Sequence, residues 1–317
     1  MKITVLDGYT LNPGDLCWDD FGKMGDLTVY MHTQKEEVLE HAKDSDILIT
    51  NKVVLDEDII SRLPKLKYIG VIATGYNVVD VEAARKYGVV VTNIPAYSTM
   101  SVAQHVFALL LSVTDRVEHY TKQVKEGKWS KCRDFCYWDT PLVEIAGKKF
   151  GIVGMGNIGT AVAKIASAFG MSVLAFSSKP SNMLPEEVKK VSLEELYQEC
   201  DIISLHCPLT DKTRHMINRE SLSEMKEGVI LINTGRGPLV DEKDVAEALK
   251  DGKIGAFCAD VLSTEPPSEH NPLISAPNVY ITPHIAWATK EARSRLMKIA
   301  VDNLKSFLEG HPVNVVS

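Results

Sequence analysis

Residues 151–159 read "GIVGMGNIG" and carry Gly154, Gly156 and Gly159 in the spacing G-x-G-x-x-G, between an apolar run and a helical pattern. In such a strand-turn-helix unit the first glycine permits the tight turn, the second lets a pyrophosphate approach, and the third allows close helix packing. The helix N-terminus attracts the phosphates. The loop, which also contains Met155, Asn157 and Ile158, therefore predicts a dinucleotide site. A glycine turn that binds nothing is the alternative.

Short apolar runs alternate with helical patterns on both sides of this loop. The first series has runs at 3–6, 46–50, 68–73 and 88–93, and the second has runs at 149–154, 172–176, 201–206, 229–233, 254–260 and 279–282. This alternation indicates parallel sheets covered by helices on both faces. The six runs of the second series suit one complete dinucleotide-binding sheet of the Rossmann type.

Two long helical patterns divide the chain. One begins at Ser101 and keeps its apolar spacing as far as Val117, and its centre, "VFALLLSV", is apolar nearly all round. Such a helix is expected to lie buried between domains or subunits. The other covers about 288–308. We therefore predict a discontinuous domain of residues 1–99 plus 286–317 and a central dinucleotide-binding domain of residues 100–285.

The amino-acid composition limits the kinds of molecule that the protein is expected to bind. The 317-residue chain is 45% hydrophobic, with a formal net charge of -7 and a pI near 5.8. These values favour a small-molecule partner over nucleic acid or a membrane surface. Without a signal-peptide or membrane-span pattern we expect a cytoplasmic protein. The six scattered cysteines predict free thiols and no metal site.

The second strand of the central domain ends unusually. An acidic residue normally follows the glycine loop by about twenty positions and binds the adenosine ribose, but here the run 172–176 is followed by Ser177, Ser178 and Lys179. A carboxylate repels a 2′-phosphate, whereas serines and a lysine bind one. We therefore predict NADP, or use of both NADP and NAD. The alternative is a solvated loop beside which NAD binds without a carboxylate.

Three polar residues follow predicted strands, at the edge where α/β sheets bind ligands. They are Arg236 in "NTGRGPLVD", Glu265 in "DVLSTEPP" and His284 in "ITPHIAW". An arginine holds a carboxylate through two parallel hydrogen bonds. A histidine exchanges a proton with an alcohol near neutral pH, and a carboxylate beside it orients the ring. The set predicts carbonyl reduction in which hydride arrives from a nicotinamide.

The chain resembles the D-isomer-specific 2-hydroxyacid dehydrogenases through "GIVGMGNIG", "LHCPLTDKT", "NTGRGPLVDE", "DVLSTEPP" and "TPHIAW", in that order. Within that family, "VLDGYTLNPGDL" and "PHIAWAT", with Ala286 and Trp287, resemble the glycerate dehydrogenase or hydroxypyruvate reductase branch. The resemblance implies two doubly wound α/β domains, a Rossmann domain and a discontinuous flavodoxin-like substrate domain, and a homodimer. It assigns Arg236 to substrate orientation, His284 to acid/base work and Glu265 to support of the histidine.

The resemblance also implies further contacts. Substrate would meet the turn of Thr74, Gly75 and Tyr76, and Lys52; the alternatives are a plain tight turn and a solvated charge. The implied cofactor contacts are His206, Cys207, Pro208, Thr213, Thr234, Gly235, Arg236, Asp260, His284, Ala286 and Trp287. Cys207 has no activating neighbour in sequence and is no nucleophile. His105 is expected to be structural, and Trp138 either walls a substrate pocket or packs at an interface.

The main hypothesis is an NAD(P)H-dependent reductase of small 2-oxo acids, preferring hydroxypyruvate and also taking glyoxylate. The enzymatic alternative is another D-2-hydroxyacid dehydrogenase, such as one for D-lactate or a phosphonate, which would have the same fold and a different substrate pocket. Oxidation of 3-phosphoglycerate is disfavoured because the chain ends at Ser317, and formate oxidation because it needs no partner such as Glu265. A nucleotide-sensing corepressor-like protein is the non-enzymatic alternative, disfavoured by the lack of a long disordered tail.

Overall fold

The computed structural model describes all 317 residues and contains twelve β-strands and eleven α-helices. The strands are β1 (Lys2–Val5), β2 (Asp26–Val29), β3 (Ile47–Thr50), β4 (Tyr68–Val71), β5 (Val90–Thr92), β6 (Lys149–Val153), β7 (Ser172–Phe176), β8 (Val188–Lys190), β9 (Ile202–Leu205), β10 (Val229–Asn233), β11 (Ile254–Ala259) and β12 (Val279–Ile281). The helices are α1 (Asp19–Gly22), α2 (Val38–Ala42), α3 (Glu57–Ser61), α4 (Val81–Lys86), α5 (Thr99–Thr114), α6 (Val117–Lys125), α7 (Asn157–Ala168), α8 (Leu193–Glu199), α9 (Arg219–Glu224), α10 (Glu242–Lys250) and α11 (Lys290–Leu308). No helix has the length and apolar content that crossing a membrane requires.

The chain divides into two compact units. The first unit is Met1–Ser98 with Ala288–Ser317, and the second unit is Thr99–Trp287. The predicted domain borders, at 99 and 286, lie beside these observed ones. The chain thus leaves the first unit once, forms the whole second unit and returns.

The first unit contains a five-stranded parallel sheet in the order β2-β1-β3-β4-β5. This is the flavodoxin-like doubly wound order, and it confirms the predicted fold class. Leu48, Ile69 and Val91 come from three of its strands and are fully buried in one apolar cluster. Burial of each such side chain contributes roughly 1.5–3 kcal/mol, so the strand cores supply much of this unit's stability.

The last helix belongs to the first unit. Phe307 of α11 packs on Tyr68 of β4 with ring centroids 4.8 Å apart. Arg293 donates to both carboxylate oxygens of Asp15 at 2.7 Å, and this guanidinium lowers the pKa of Asp15. A bidentate, charge-assisted pair of this kind fixes orientation as well as distance. It anchors the returning chain to the first unit.

The second unit contains a seven-stranded parallel sheet in the order β12-β11-β10-β9-β6-β7-β8. Six of these strands follow the Rossmann order, and β12 extends the sheet at one edge. Neighbouring residues on a strand face opposite clusters: Ile203 belongs to one and Ile202 to the other. Helices cover both faces, as the continuous apolar runs predict.

Two edge strands were not predicted from the sequence. β2 and β8 each lie at the edge of a sheet. Along β2, exposed residues alternate with partly buried ones, and in β8 two of the three residues are exposed. The sequence predicted six strands in the second unit, whereas the structure has seven; the missed strand is β8. Short, charged edge strands bury little apolar surface and carry a weak sequence signal.

The prediction of one helix from Ser101 to Val117 was also wrong. α5 ends at Thr114, Arg116 adopts a left-handed conformation with φ 50°, and α6 starts at Val117, whose side chain is 67% exposed. The buried face of α5 packs within the second unit, where Phe107 stacks on Phe150 with centroids 5.9 Å apart. Its centre is therefore part of that unit's own core.

Candidate active site

The glycine loop joins β6 to α7 and has the shape that a dinucleotide requires. Gly154 has a φ of +102°, and a Cβ there would lie 2.6 Å from the backbone nitrogen of Cys207. A Cβ at Gly159 would lie 2.1 Å from the oxygen of Gly154, so helix and turn are in direct contact. A Cβ at Gly156 would meet nothing within 4 Å.

That open space lies at the N-terminus of α7, which no side chain caps. The N–H groups of a first helical turn have no intrahelical acceptor, and the helix dipole favours an anion there. A pyrophosphate fits this place because it would satisfy those donors and because Gly156 leaves room for it. The residues present therefore fit a bound dinucleotide.

The adenosine end of the predicted site is the turn after β7, residues 177–179, which we call the serine turn. Ser177 is buried, with 8% of its surface exposed, and its Oγ accepts a hydrogen bond from the Lys179 backbone N–H at 3.1 Å. The Ser177 hydroxyl hydrogen is still available as a donor. Ser178 and Lys179 are exposed. No acidic side chain occupies the turn.

The segment after β9 lies against the glycine loop. The N–H of His206 donates to Val153 of β6 at 2.7 Å, and its Nε2 lies 2.9 Å from the Ser204 hydroxyl. Burial lowers the pKa of His206 to about 4, although part of the residue is accessible, so the ring is neutral at pH 7. Burial raises the pKa of the Cys207 thiol, which leaves Cys207 a poor nucleophile, as predicted.

Further along, the Thr213 hydroxyl donates to the carbonyl oxygen of Pro208 at 2.7 Å. This hydrogen bond closes a short turn in which the backbone N–H of Thr210 in turn donates to Thr213 Oγ1 at 2.8 Å. The contact of Pro208 and Thr213 with a cofactor stays a prediction. The visible role of Thr213 is to hold the backbone that follows β9.

The turn after β10 carries Arg236 and is shaped by Asn233. Asn233, fully buried, accepts from the Gly235 N–H at 3.1 Å and donates to the Arg236 carbonyl at 2.9 Å. The Oγ1 of Thr234 is buried and has no hydrogen-bond partner. An unpaired buried hydroxyl is costly, and a ligand beside this turn would supply the missing partner. Sequence reasoning missed Asn233, although an asparagine at a strand end is a common turn signal.

Arg236 is exposed and donates to the carbonyl of Gly235 at 2.8 Å, so most of its guanidinium N–H groups face solvent. The next residue, Gly237, lies against the segment that carries Glu265. A Cβ at Gly237 would lie 1.9 Å from the backbone carbon of Leu262, which means that the two backbones touch. Leu262 is three residues from Glu265 and donates its N–H to Glu265 Oε1 at 3.1 Å.

Glu265 and His284 are brought together. Nδ1 of His284 lies 2.6 Å from Oε2 of Glu265. An ionised carboxylate only accepts hydrogen bonds, so Nδ1 carries the shared proton and Nε2 is the ring nitrogen left for another partner. His284 has a φ of 54°, a left-handed conformation that is strained for a residue with a side chain.

Buried groups hold this strained segment, residues 282–287, which we call the His284 loop. Asp260 is 2% exposed; its Oδ1 accepts from the Ile285 N–H at 2.8 Å and from the Thr282 hydroxyl at 2.6 Å, and its Oδ2 accepts from the Ala286 N–H at 2.8 Å. The loop is thus fixed on both sides of the histidine. The predicted contact of Asp260 with a carboxamide stays a prediction, since these bonds already engage both oxygens.

Helix α5 adds to this support. Ser101 donates to the Ala286 carbonyl at 2.6 Å, and Nε2 of His105 lies 2.8 Å from the Thr282 hydroxyl. The Trp287 indole N–H donates to the carbonyl of His284 at 2.9 Å. His105 therefore has the structural position that we expected, and Ala286 and Trp287 shape the loop directly.

The predicted substrate contacts of the first unit lie at the carboxyl ends of the paired strands β3 and β4. The N–H groups of Asn51 and Lys52 donate to the two carboxylate oxygens of Asp7 at 2.8 and 2.6 Å. In the turn after β4, the Thr74 hydroxyl donates to Ile94 O at 2.8 Å. Gly75 follows and is partly exposed, and Tyr76 is 37% exposed. Asp7, missed by sequence reasoning, positions the backbone of Lys52.

A glycine loop open to phosphates, beside strand ends that carry a free arginine and a histidine–carboxylate pair, is typical of an oxidoreductase that uses a nicotinamide dinucleotide. Comparison with known proteins agrees. Residues 107–286 match the family model "D-isomer specific 2-hydroxyacid dehydrogenase, NAD binding domain". The chain is 49% identical over 321 residues, all of both chains, to a hydroxypyruvate reductase of Blautia hydrogenotrophica. It is 44% identical over 318 residues, 99% of this chain and 98% of the relative, to a glycerate dehydrogenase of Methylorubrum extorquens.

Among solved structures, an acyclic imino acid reductase in complex with NADPH and D-Arg matches over the whole of both chains, with a TM-score of 0.86 and 33% identity. The chain belongs to the D-isomer-specific 2-hydroxyacid dehydrogenase family, in its glycerate dehydrogenase and hydroxypyruvate reductase branch. It is an NAD(P)-dependent enzyme, and the second unit contains the family's NAD-binding domain.

Proposed function

We propose that the enzyme reduces hydroxypyruvate to D-glycerate, with glyoxylate as a second substrate. The observation that carries the proposal is the 2.6 Å contact between His284 Nδ1 and Glu265 Oε2, in a segment whose backbone touches the turn of Arg236. The names of the relatives, hydroxypyruvate reductase and glycerate dehydrogenase, support the choice of substrate.

A nicotinamide cofactor held by the glycine loop would supply the hydride needed to reduce the C2 carbonyl. Arg236 donates two parallel hydrogen bonds to the carboxylate of the 2-oxo acid, which orients the carbonyl and stabilises the anion. His284 donates the Nε2 proton to the oxygen that gains negative charge at C2, and so acts as the general acid. In the reverse direction the same nitrogen takes the alcohol proton.

Glu265 orients the imidazole ring of His284 for this proton transfer. Its Oε2 accepts from Nδ1, so the ring cannot turn without losing a short hydrogen bond, and its negative charge stabilises the imidazolium before the proton leaves. The Leu262 N–H on the other oxygen of Glu265 fixes the carboxylate in turn. In the first unit, Lys52 and the turn of Thr74, Gly75 and Tyr76 are proposed as substrate-binding residues.

For the cofactor, we propose NADPH, or dual use of NADPH and NADH. Support comes from the serine turn, where a buried hydroxyl and two exposed donors stand in place of a carboxylate. The proposed contacts along the cofactor are the glycine loop for the pyrophosphate, the segment from His206 to Thr213 for the adenosine, and Thr234 and Asp260 near the nicotinamide. The unpartnered hydroxyl of Thr234 supports that placement.

We also propose a homodimer. The segment 117–143 exposes several large apolar side chains, namely Val117 at 67%, Trp129 at 52%, Phe135 at 88%, Trp138 at 68% and Leu142 at 55%. Exposed apolar side chains concentrated in one segment are typical of a surface that another chain covers. Light scattering of the purified protein tests this proposal, and a monomer at all concentrations would contradict it.

A matrix of substrates and cofactors tests the proposed reaction. Hydroxypyruvate, glyoxylate and pyruvate are each combined with NADPH and with NADH, and turnover is followed by the absorbance of the reduced nicotinamide. We expect the highest kcat/KM with hydroxypyruvate and NADPH. A clear preference for pyruvate would replace the substrate assignment by D-lactate dehydrogenase. No turnover with any 2-oxo acid, together with tight cofactor binding, would favour a nucleotide-sensing binding protein.

A further inference from the structure

A lysine outside the predicted site lies against the serine turn. Lys190 is the last residue of β8, the strand that pairs with β7 in the register Ala175↔Lys190. Its Nζ donates a hydrogen bond to the carbonyl oxygen of Lys179 at 2.7 Å. The ammonium group of Lys190 is therefore held at the turn that replaces the usual acidic residue.

The neighbouring lysine on the same strand has a different environment. Successive side chains of a strand point to opposite faces, and Nζ of Lys189 pairs with Oε1 of Glu195 at 2.7 Å. The acceptor of Lys190 is instead a neutral carbonyl, so its positive charge is not neutralised by that contact. An ammonium group has three donors, and the one bond to Lys179 leaves two for a ligand.

We propose that Lys190 is a specificity-determining residue that binds the 2′-phosphate of NADPH together with Ser177, Ser178 and Lys179. The inference rests on the proposed binding of NADPH and extends that site to a second strand. The bond to the Lys179 carbonyl keeps the long side chain of Lys190 ordered before the cofactor arrives, which reduces the entropy lost on binding. A dianionic 2′-phosphate would then accept charge-assisted hydrogen bonds from two lysines and two serines.

The test measures equilibrium binding in the absence of any 2-oxo acid. Dissociation constants of NADPH and NADH are compared for the wild type, Lys190→Met, Lys190→Arg and the matched control Lys189→Met. Losing one charge-assisted hydrogen bond raises the Kd of NADPH about tenfold in Lys190→Met, with the Kd of NADH changed less than about twofold. Lys190→Arg keeps the preference for NADPH because it keeps the charge, and Lys189→Met keeps it because that lysine faces Glu195.

A second probe isolates the phosphate. Adenosine 2′,5′-bisphosphate and adenosine 5′-monophosphate differ only by the 2′-phosphate, and Lys190→Met should weaken the first and leave the second unchanged. Equal weakening of both nucleotides would mean that Lys190 only supports the turn, and no weakening of either would mean that it does not reach the ligand. Each result overturns the proposal. If instead no 2-oxo acid is turned over but these binding differences are found, the proposed reaction fails and the assignment of Lys190 stands.

Discussion

The two ends of the predicted cofactor site are built differently. The His284 loop is held by a buried carboxylate, that of Asp260, and by Ser101 of α5, and it contains a residue in a strained left-handed conformation. The serine turn is held by one bond within the turn and one from Lys190, and two of its three side chains are exposed. The proposed proton donor thus lies on a segment held by several buried hydrogen bonds, and the proposed cofactor selectivity lies on a loosely held turn.

The difference has a physical reason. Proton transfer needs a donor within a few tenths of an ångström of its place, so the loop that carries it must be rigid. Recognition of a phosphate depends on charge and on flexible donors, which tolerate small displacements. We therefore expect substitutions in the His284 loop to change kcat with both cofactors, and substitutions at the serine turn to change the choice between NADPH and NADH.

The largest effect is expected from His284→Ala. Loss of the proton donor should lower kcat for hydroxypyruvate about 10³-fold, while the Kd of NADPH stays within about twofold of the wild-type value because the proposed pyrophosphate and adenosine contacts lie on other residues. Steady-state turnover and cofactor titration measure the two quantities. His311→Ala, which removes an exposed histidine of the first unit, is the control. Turnover near the wild-type rate would exclude His284 as the acid.

Asp260→Asn should have the next largest effect, because the amide cannot accept on both sides as the carboxylate does. The Ile285 or Ala286 N–H then loses its acceptor, and displacement of the His284 loop lowers kcat by up to about a hundredfold. The KM for hydroxypyruvate should change little, since Arg236 is untouched. Asp251→Asn, at an exposed helix end, serves as the control. Unchanged kcat would mean that the loop keeps its conformation without Asp260.

Ser177→Asp tests the role of the serine turn in the choice between NADPH and NADH. A carboxylate there repels the 2′-phosphate and binds ribose hydroxyls, so we expect the NADPH to NADH ratio of kcat/KM to fall about tenfold or more. The kcat with NADH should be unchanged. Ser181→Asp, an exposed neighbour, adds the same charge outside the turn and controls for general repulsion. An unaltered ratio in Ser177→Asp would show that the turn does not read the 2′-position.

The smallest expected effect is on stability. Burial lowers the pKa of His206 to about 4 from its ordinary 6.5. Between pH 4 and 6.5, His206 is therefore protonated in the unfolded chain and neutral in the folded chain. Stability is therefore lost as the pH falls from about 6.5 toward 4, by up to about 3 kcal/mol. Urea unfolding at a series of pH values should show a shallower acid loss in His206→Asn. An equal loss in both proteins would contradict the neutral state of His206.

The sequence indicated the proposed catalytic residues, but it did not indicate the residues that hold them in place. Arg236, Glu265 and His284 could be found because reactive side chains follow strands, and parallel strands bring their carboxyl ends to one edge. Asn233, Asp7 and Lys190 could not be found, because their importance lies in which backbone groups they contact. The bond of Lys190 to the serine turn depends on the pairing of β7 with β8, and β8 is a three-residue edge strand without an apolar pattern.

Whether the two ends act independently is measured by a cycle of Glu265→Gln, Ser177→Asp and the double variant, each assayed with hydroxypyruvate and both cofactors. Glu265→Gln should lower kcat about a hundredfold with NADPH and NADH alike. Ser177→Asp should then change the NADPH to NADH ratio by the same factor with glutamate or glutamine at position 265. If the change in the ratio depends on the residue at position 265, the two ends are coupled and do not act independently.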